Sequence, residues 1–86
     1  MQLSVEISLY PLAQQEFEEQ IWDFIKRIRQ YPDIRIKTNG MSSQVFGEYH
    51  QVMNCLTLEM ERVYQEIGRA VFVCKYIMGD RSHIDE

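Results

Sequence analysis

The period of the apolar residues changes four times along this chain, and the order of those changes leaves few folds open. From Leu3 to Tyr10 the residues alternate, with Leu3, Val5, Ile7 and Leu9 on one side and Ser4, Glu6, Ser8 and Tyr10 on the other. A period of two predicts a half-buried strand. From Gln14 to about Tyr31 the spacing becomes that of one helical stripe: Phe17, Ile21, Phe24, Ile25 and Ile28. Glu16, Glu18 and Glu19 lie in its first turns and Lys26, Arg27 and Arg29 in its last, the order a helix dipole favours. Pro32 closes it. Ile34 to Thr38 alternates again, with Ile34 and Ile36 inward. Asn39-Gly40 predicts a two-residue type I′ turn, because both residue types tolerate positive φ, and Met41 to Gly47 reads as the returning strand. Glu48 to Ile67 is helical, on a stripe of Met53, Leu56, Met60, Val63 and Ile67, with Gly68 at the C′ position. Arg69 to Met78, rich in Val, Phe and Tyr, predicts a last strand. The residues from Gly79 onward are polar and expected to fray.

Strand, helix, strand, strand, helix, strand is the split βαβ pattern. The predicted fold is therefore α+β and ferredoxin-like, βαββαβ, with a four-stranded antiparallel sheet and two helices on one face. Eighty-six residues suffice for one such domain, read as residues 1–79 with a polar C-terminal tail over 80–86. The second face of the sheet is left open. On the last strand, Phe72, Cys74, Tyr76 and Met78 alternate with Val71, Val73, Lys75 and Ile77, and either set is too apolar for water. A homodimer or higher homo-oligomer through the open sheet face is expected.

Charge and motifs exclude several classes. Nine Lys and Arg against thirteen Asp and Glu give a net charge of −4, the wrong sign for a nucleic-acid partner. The segment Met41–Gly47 also lacks the basic, aromatic pattern of RNA-recognition domains. The loop Pro11-Leu12-Ala13 cannot form the anion cradle of acylphosphatases. No apolar run approaches the ~20 residues of a membrane span, and the first residues carry no signal-peptide pattern. Cys55 and Cys74 form no paired metal or redox motif and read as reduced thiols, which points to the cytoplasm. His50 and His83 stand apart, so no catalytic triad, zinc motif or phosphate loop is visible. The chain is expected to be no enzyme and to hold no metal.

Two places remain that can carry a site. Glu6 lies in mid-strand between Val5 and Ile7, where an unpaired carboxylate costs several kcal/mol. It either pairs with Lys75 or Arg35 across the sheet or meets a ligand. Thr38-Asn39-Gly40-Met41-Ser42-Ser43-Gln44 gathers five hydrogen-bonding side chains around one turn, more than turn chemistry requires. Trp22 lies beside the helical stripe and reads as core edge. Lys26, Arg27, Arg29, Arg35 and Lys37 read as a basic, solvated cluster at one end.

Three stretches carry a family resemblance: Ser4-Val5-Glu6-Ile7-Ser8-Leu9-Tyr10-Pro11-Leu12, Thr38-Asn39-Gly40-Met41-Ser42-Ser43-Gln44-Val45-Phe46-Gly47-Glu48-Tyr49, and Ala70-Val71-Phe72-Val73-Cys74-Lys75. In order and spacing the chain resembles the YkoF-like thiamine/hydroxymethylpyrimidine-binding domains. Ser43 stands where that family usually has Thr, keeping the hydroxyl and losing a methyl. The resemblance implies non-catalytic binding of thiamine or its hydroxymethylpyrimidine precursor, as ligand and not as cofactor, in salvage or transport. YkoF itself resembles two such domains in one chain, so self-association here would supply the second. The ring's amino donor and nitrogen acceptors suit Glu6, Ser8, Asn39, Ser42, Ser43 and Gln44, and Phe46, Tyr10 or Trp22 can stack on it. Two alternatives stay open: an ACT-like regulatory module that binds an amino acid, and a pure assembly domain.

Overall fold

The first strand, β1 (Gln2–Pro11), runs through the middle of the sheet, and everything else is placed by its alternation. In the computed structural model, which describes residues 1–12 and 17–84, it is followed by α1 (Phe17–Arg29), β2 (Arg35–Thr38), β3 (Ser43–Glu48), α2 (Tyr49–Ile67) and β4 (Ala70–Met78). The predicted start of the first helix at Gln14, Glu16, the Ala13 end of the loop and the side chain of Phe17 lie outside the described residues. The sheet order is β2-β3-β1-β4 with every pair antiparallel, as the ferredoxin-like arrangement requires.

Leu3, Val5, Ile7 and Leu9 are buried beneath the helices. From α1 come Phe24 and Ile28; from α2 come Val52, Cys55, Leu56 and Val63. Phe72 of β4 closes one side, its ring 5.4 Å from those of Phe24 and Tyr64. The buried stripe of α2 is set one position round from the predicted one. Val52, Cys55, Leu56, Glu59 and Val63 are fully buried, while Met53 and Met60 pack at its margin. Glu48 caps this helix by accepting the His50 N–H. Gly68, at φ 79°, ends it by donating its N–H to the Tyr64 carbonyl at 3.0 Å.

Several expectations need correcting. The hairpin is not a two-residue type I′ turn, since neither Asn39 nor Gly40 has positive φ. Thr38 pairs with Ser43, leaving a four-residue loop, and β3 begins at Ser43 instead of Met41. The Asn39 carboxamide drives this by accepting the N–H groups of Met41 at 2.8 Å and Ser42 at 3.0 Å. Trp22 is not core edge; it is 43% exposed, with the Arg29 guanidinium 5.9 Å from its ring.

Residues 79–84 do not fray. Gly79, at φ 109°, adopts a conformation few side chains permit and turns the chain back across the sheet. The Ser4 hydroxyl then donates to the Gly79 carbonyl at 2.8 Å and accepts the Arg81 N–H at 3.0 Å. Arg35 pairs with Asp80 at 3.1 Å, and Lys37 donates to the Ser82 carbonyl. The segment is a strap over the β3 half of the face expected to be open. Phe46 points to that face and is nonetheless 2% exposed. The predicted basic cluster is dispersed for the same reason: Arg35 and Lys37 hold the strap, and Arg27 turns to Glu59 on α2.

Candidate functional site

The loop between β2 and β3 borders a cavity. It measures about 520 Å³ and lies between that loop, the end of β1 and α1. Ile7, Leu9, Ile21, Phe24 and Ile25 give it an apolar wall, and Thr38, Asn39, Ser42 and Ser43 a polar one. Ser8 and Tyr10 complete the rim on β1. Its origin is a mismatch of strand lengths. Pairing of β1 with β3 stops at Ile7, whereas residues 8–11 pair with β4 alone. Peptide groups along a strand point alternately to its two neighbours. The Gln2 carbonyl and the Leu12 N–H bond on the β4 side, and the Met1 carbonyl bonds Tyr49 on the β3 side. That parity turns the Leu9 N–H and carbonyl toward the β3 side, where β3 has ended and the cavity lies.

The hydroxyls here have fixed directions. Ser42 donates to the Glu6 carboxylate at 3.0 Å, so its remaining capacity is that of an acceptor. Ser43, buried on the helix face, shares a 3.0 Å hydrogen bond with Thr38. The Asn39 side chain is spent on the turn itself.

Of the two readings its position left open, Glu6 takes the ion pair. It pairs with Lys75 at 2.9 Å, directly across from it on β4, and it holds Ser42. The Lys75 hydrogen bond, then that from Ser42, keep the Glu6 carboxyl below its usual range. Glu6 itself lines a second cavity of about 380 Å³ on the opposite face, together with Gln44 and Phe46. The expected ligand set is thus divided by the sheet. Ser8, Tyr10, Asn39, Ser42 and Ser43 border the cavity at the loop; Glu6, Gln44 and Phe46 border the other. The Ser42–Glu6 hydrogen bond joins the two groups.

Sequence reasoning missed the apolar wall from α1 at the first cavity, which requires knowing that this helix crosses above the end of β1. It also missed Arg81 and Ile84 at the second, which come from the strap. The third omission is Glu59. This buried carboxylate accepts Arg27 Nε at 2.8 Å and the Tyr31 hydroxyl at 2.8 Å, with Arg62 Nε at 3.5 Å. Its spacing from Val52, Cys55, Leu56 and Val63 was a signal that it lies on the buried stripe. Among the described residues no group of three or more His, Cys, Asp or Glu is placed to hold a metal ion, and no helix is long and apolar enough to cross a membrane.

No protein-family model matches the chain, and no curated protein matches it in sequence. Solved structures match it in fold. MJ1052, a hypothetical protein of Methanocaldococcus jannascii, superposes with a TM-score of 0.79 at 18% identity, over 93% of this chain and 82% of that one. SP2199 of Streptococcus pneumoniae gives 0.79 at 20% identity, over 98% and 93%. TM0486 of Thermotoga maritima, described as a "putative thiamine biosynthesis/salvage protein", gives 0.80 at 18% identity, over 92% and 85%. At these identities the likeness is one of fold: the chain shares its architecture, nearly end to end, with these three proteins.

Proposed function

We propose that this chain binds thiamine or its hydroxymethylpyrimidine precursor, without catalysis, in the cavity at the β2–β3 loop. The observation that carries the reading is the composition of that cavity. An apolar slot is walled on one side by Thr38–Ser42, the most specific part of the resemblance to thiamine-binding domains, and by Ser43. Its volume of about 520 Å³ falls within the roughly 300–1,000 Å³ of small-molecule sites. An aminopyrimidine presents an amino donor beside ring-nitrogen acceptors. The Ser42 oxygen, its proton committed to Glu6, accepts from the amino group. The Leu9 peptide offers the donor and acceptor of an unoccupied strand edge. Tyr10, exposed at the rim, supplies aromatic surface for the ring. Glu6 acts here through Ser42, as a positioning residue. The likeness of fold to TM0486 supports the same reading.

The functional unit in this reading is a homodimer. The strap covers the β3 half of the open face and leaves Val71 and Val73 exposed on the β4 side, away from the Ile77 end that lines the second cavity. Two unpaired thiols agree with a reducing, cytoplasmic setting.

Calorimetric titration with thiamine, hydroxymethylpyrimidine and a panel of amino acids tests the proposal. Saturable binding of both pyrimidines is expected, and Ser42→Ala should weaken it about tenfold, the worth of one hydrogen bond to a desolvated group. Binding of an amino acid in their place would favour the regulatory module. No binding by a folded protein would leave an assembly domain.

A further inference from the structure

The second cavity has a charge balance opposite to that of the protein. Glu6 is neutralised by Lys75 at 2.9 Å and has its other oxygen on Ser42. Arg81, on the strap, lines the same cavity, and no described carboxylate pairs with its guanidinium. The site thus carries an excess positive charge in a chain of net −4. Gln44 also faces it, with no hydrogen-bond partner for its amide among the described residues. Beneath these groups lies the ring of Phe46, flanked by Ile77 and Ile84.

We infer that this cavity is a second binding site, for a small monocarboxylate with an aromatic or branched apolar body. The planar guanidinium of Arg81 takes the carboxylate in a two-point contact. Lys75, 78% exposed in its side chain, has donors beyond the one given to Glu6. The apolar body replaces water over Ile77 and Ile84, 48% and 53% exposed, in a space of about 380 Å³. A bare inorganic anion is disfavoured. The Arg81 N–H, the backbone donor nearest that side chain, is already given to Ser4, and the floor is apolar. The strap builds the site, because Gly79, Asp80 and Ser82 fix the backbone from which Arg81 extends. This site is separate from the thiamine cavity and does not depend on that assignment.

The test is an NMR titration of labelled protein with benzoate and phenylacetate, with benzamide and inorganic phosphate as matched controls. Saturable shifts of the Gln44 side-chain amide and of the Ile77 and Ile84 methyl groups are expected from the two carboxylates alone. Arg81→Gln should weaken carboxylate binding at least tenfold, while Arg81→Lys retains part of it. The thiamine titration of Arg81→Gln should match that of the unsubstituted chain, so failure of one site leaves the other assignment standing. Absence of saturable shifts, equal response to benzamide or phosphate, or an unchanged affinity in Arg81→Gln would each overturn the proposal.

Discussion

Glu59 is the residue on which the helical layer turns. Burying a carboxylate is unfavourable unless donors replace its water. Here Arg27 and Tyr31, either side of the end of α1, reach it on α2, so it ties the two helices together. Glu59→Gln keeps the volume and loses the charge. It should cost about 2 kcal/mol, seen as a lower urea midpoint at unchanged slope. The same group sets the alkaline behaviour. Hydrogen bonding to Glu59, with burial, lifts the Tyr31 phenol from 10.0 to about 12. Burial, with Glu59 nearby, lifts the Cys55 thiol from 9.0 to about 12. Both groups therefore hold their protons more tightly folded than unfolded. The stability they contribute is complete below about pH 9 and is lost as pH rises toward 12. Urea midpoints measured across that range should fall, and Tyr31→Phe should flatten the decline above pH 10. Glu6 gave its position away because a charge in an alternating strand stands out. Glu59 did not, since a glutamate in a helix is ordinary until the buried stripe is located.

The strap and the β2–β3 loop show how elements differ in legibility. Helices and strands announce themselves by period, and all six were readable that way. The strap has no period. Its partners Ser4, Arg35 and Lys37 belong to strands forty or more residues away, so only the fold brings them together. Asp80→Ala should release it with little loss of global stability, because the Arg35–Asp80 pair is exposed. Amide hydrogen exchange at Arg81 should accelerate, and exchange in the β1–β3 ladder should not. Ser82 and Arg35 hold the Asp80 carboxyl well below its ordinary range. Its contribution is present above the usual carboxylate pKa and disappears only as pH falls through the depressed value. The Arg81 amide should accordingly stay protected at pH 4. In the loop the Asn39-Gly40 signal identified a turn correctly and misjudged its type, because the Asn39 side chain competes for the backbone N–H groups.

For the whole molecule, the two sheet edges are unequal. β2 is four residues long and carries Arg35 and Lys37, a short charged edge of the kind that resists pairing. β4 is nine residues long and mostly exposed, with Val73 54% and Ile77 48% exposed on the uncovered part of the face. The proposed homodimer would bury the Val71–Val73 part of this half. Sedimentation at micromolar concentration should give twice the chain mass, and Val73→Glu should shift the protein to monomer while leaving its far-ultraviolet circular dichroism unchanged. A monomeric unsubstituted chain at tens of micromolar would remove the dimer from the proposal.

The sequence by itself determined the element order, the antiparallel sheet with helices on one face, and the inward set Leu3, Val5, Ile7 and Leu9. These follow from local periodicity and from the few ways of connecting such elements. It also singled out Thr38–Ser43 and Glu6. The tertiary structure alone decided that these fall on two sides of the sheet, joined through Ser42. It alone decided that the last residues cover Phe46. Periodicity records which way a side chain points relative to its neighbours in the chain. It carries no information about which distant strand ends early, or which polar segment finds donors waiting across the sheet, and those two facts made both cavities.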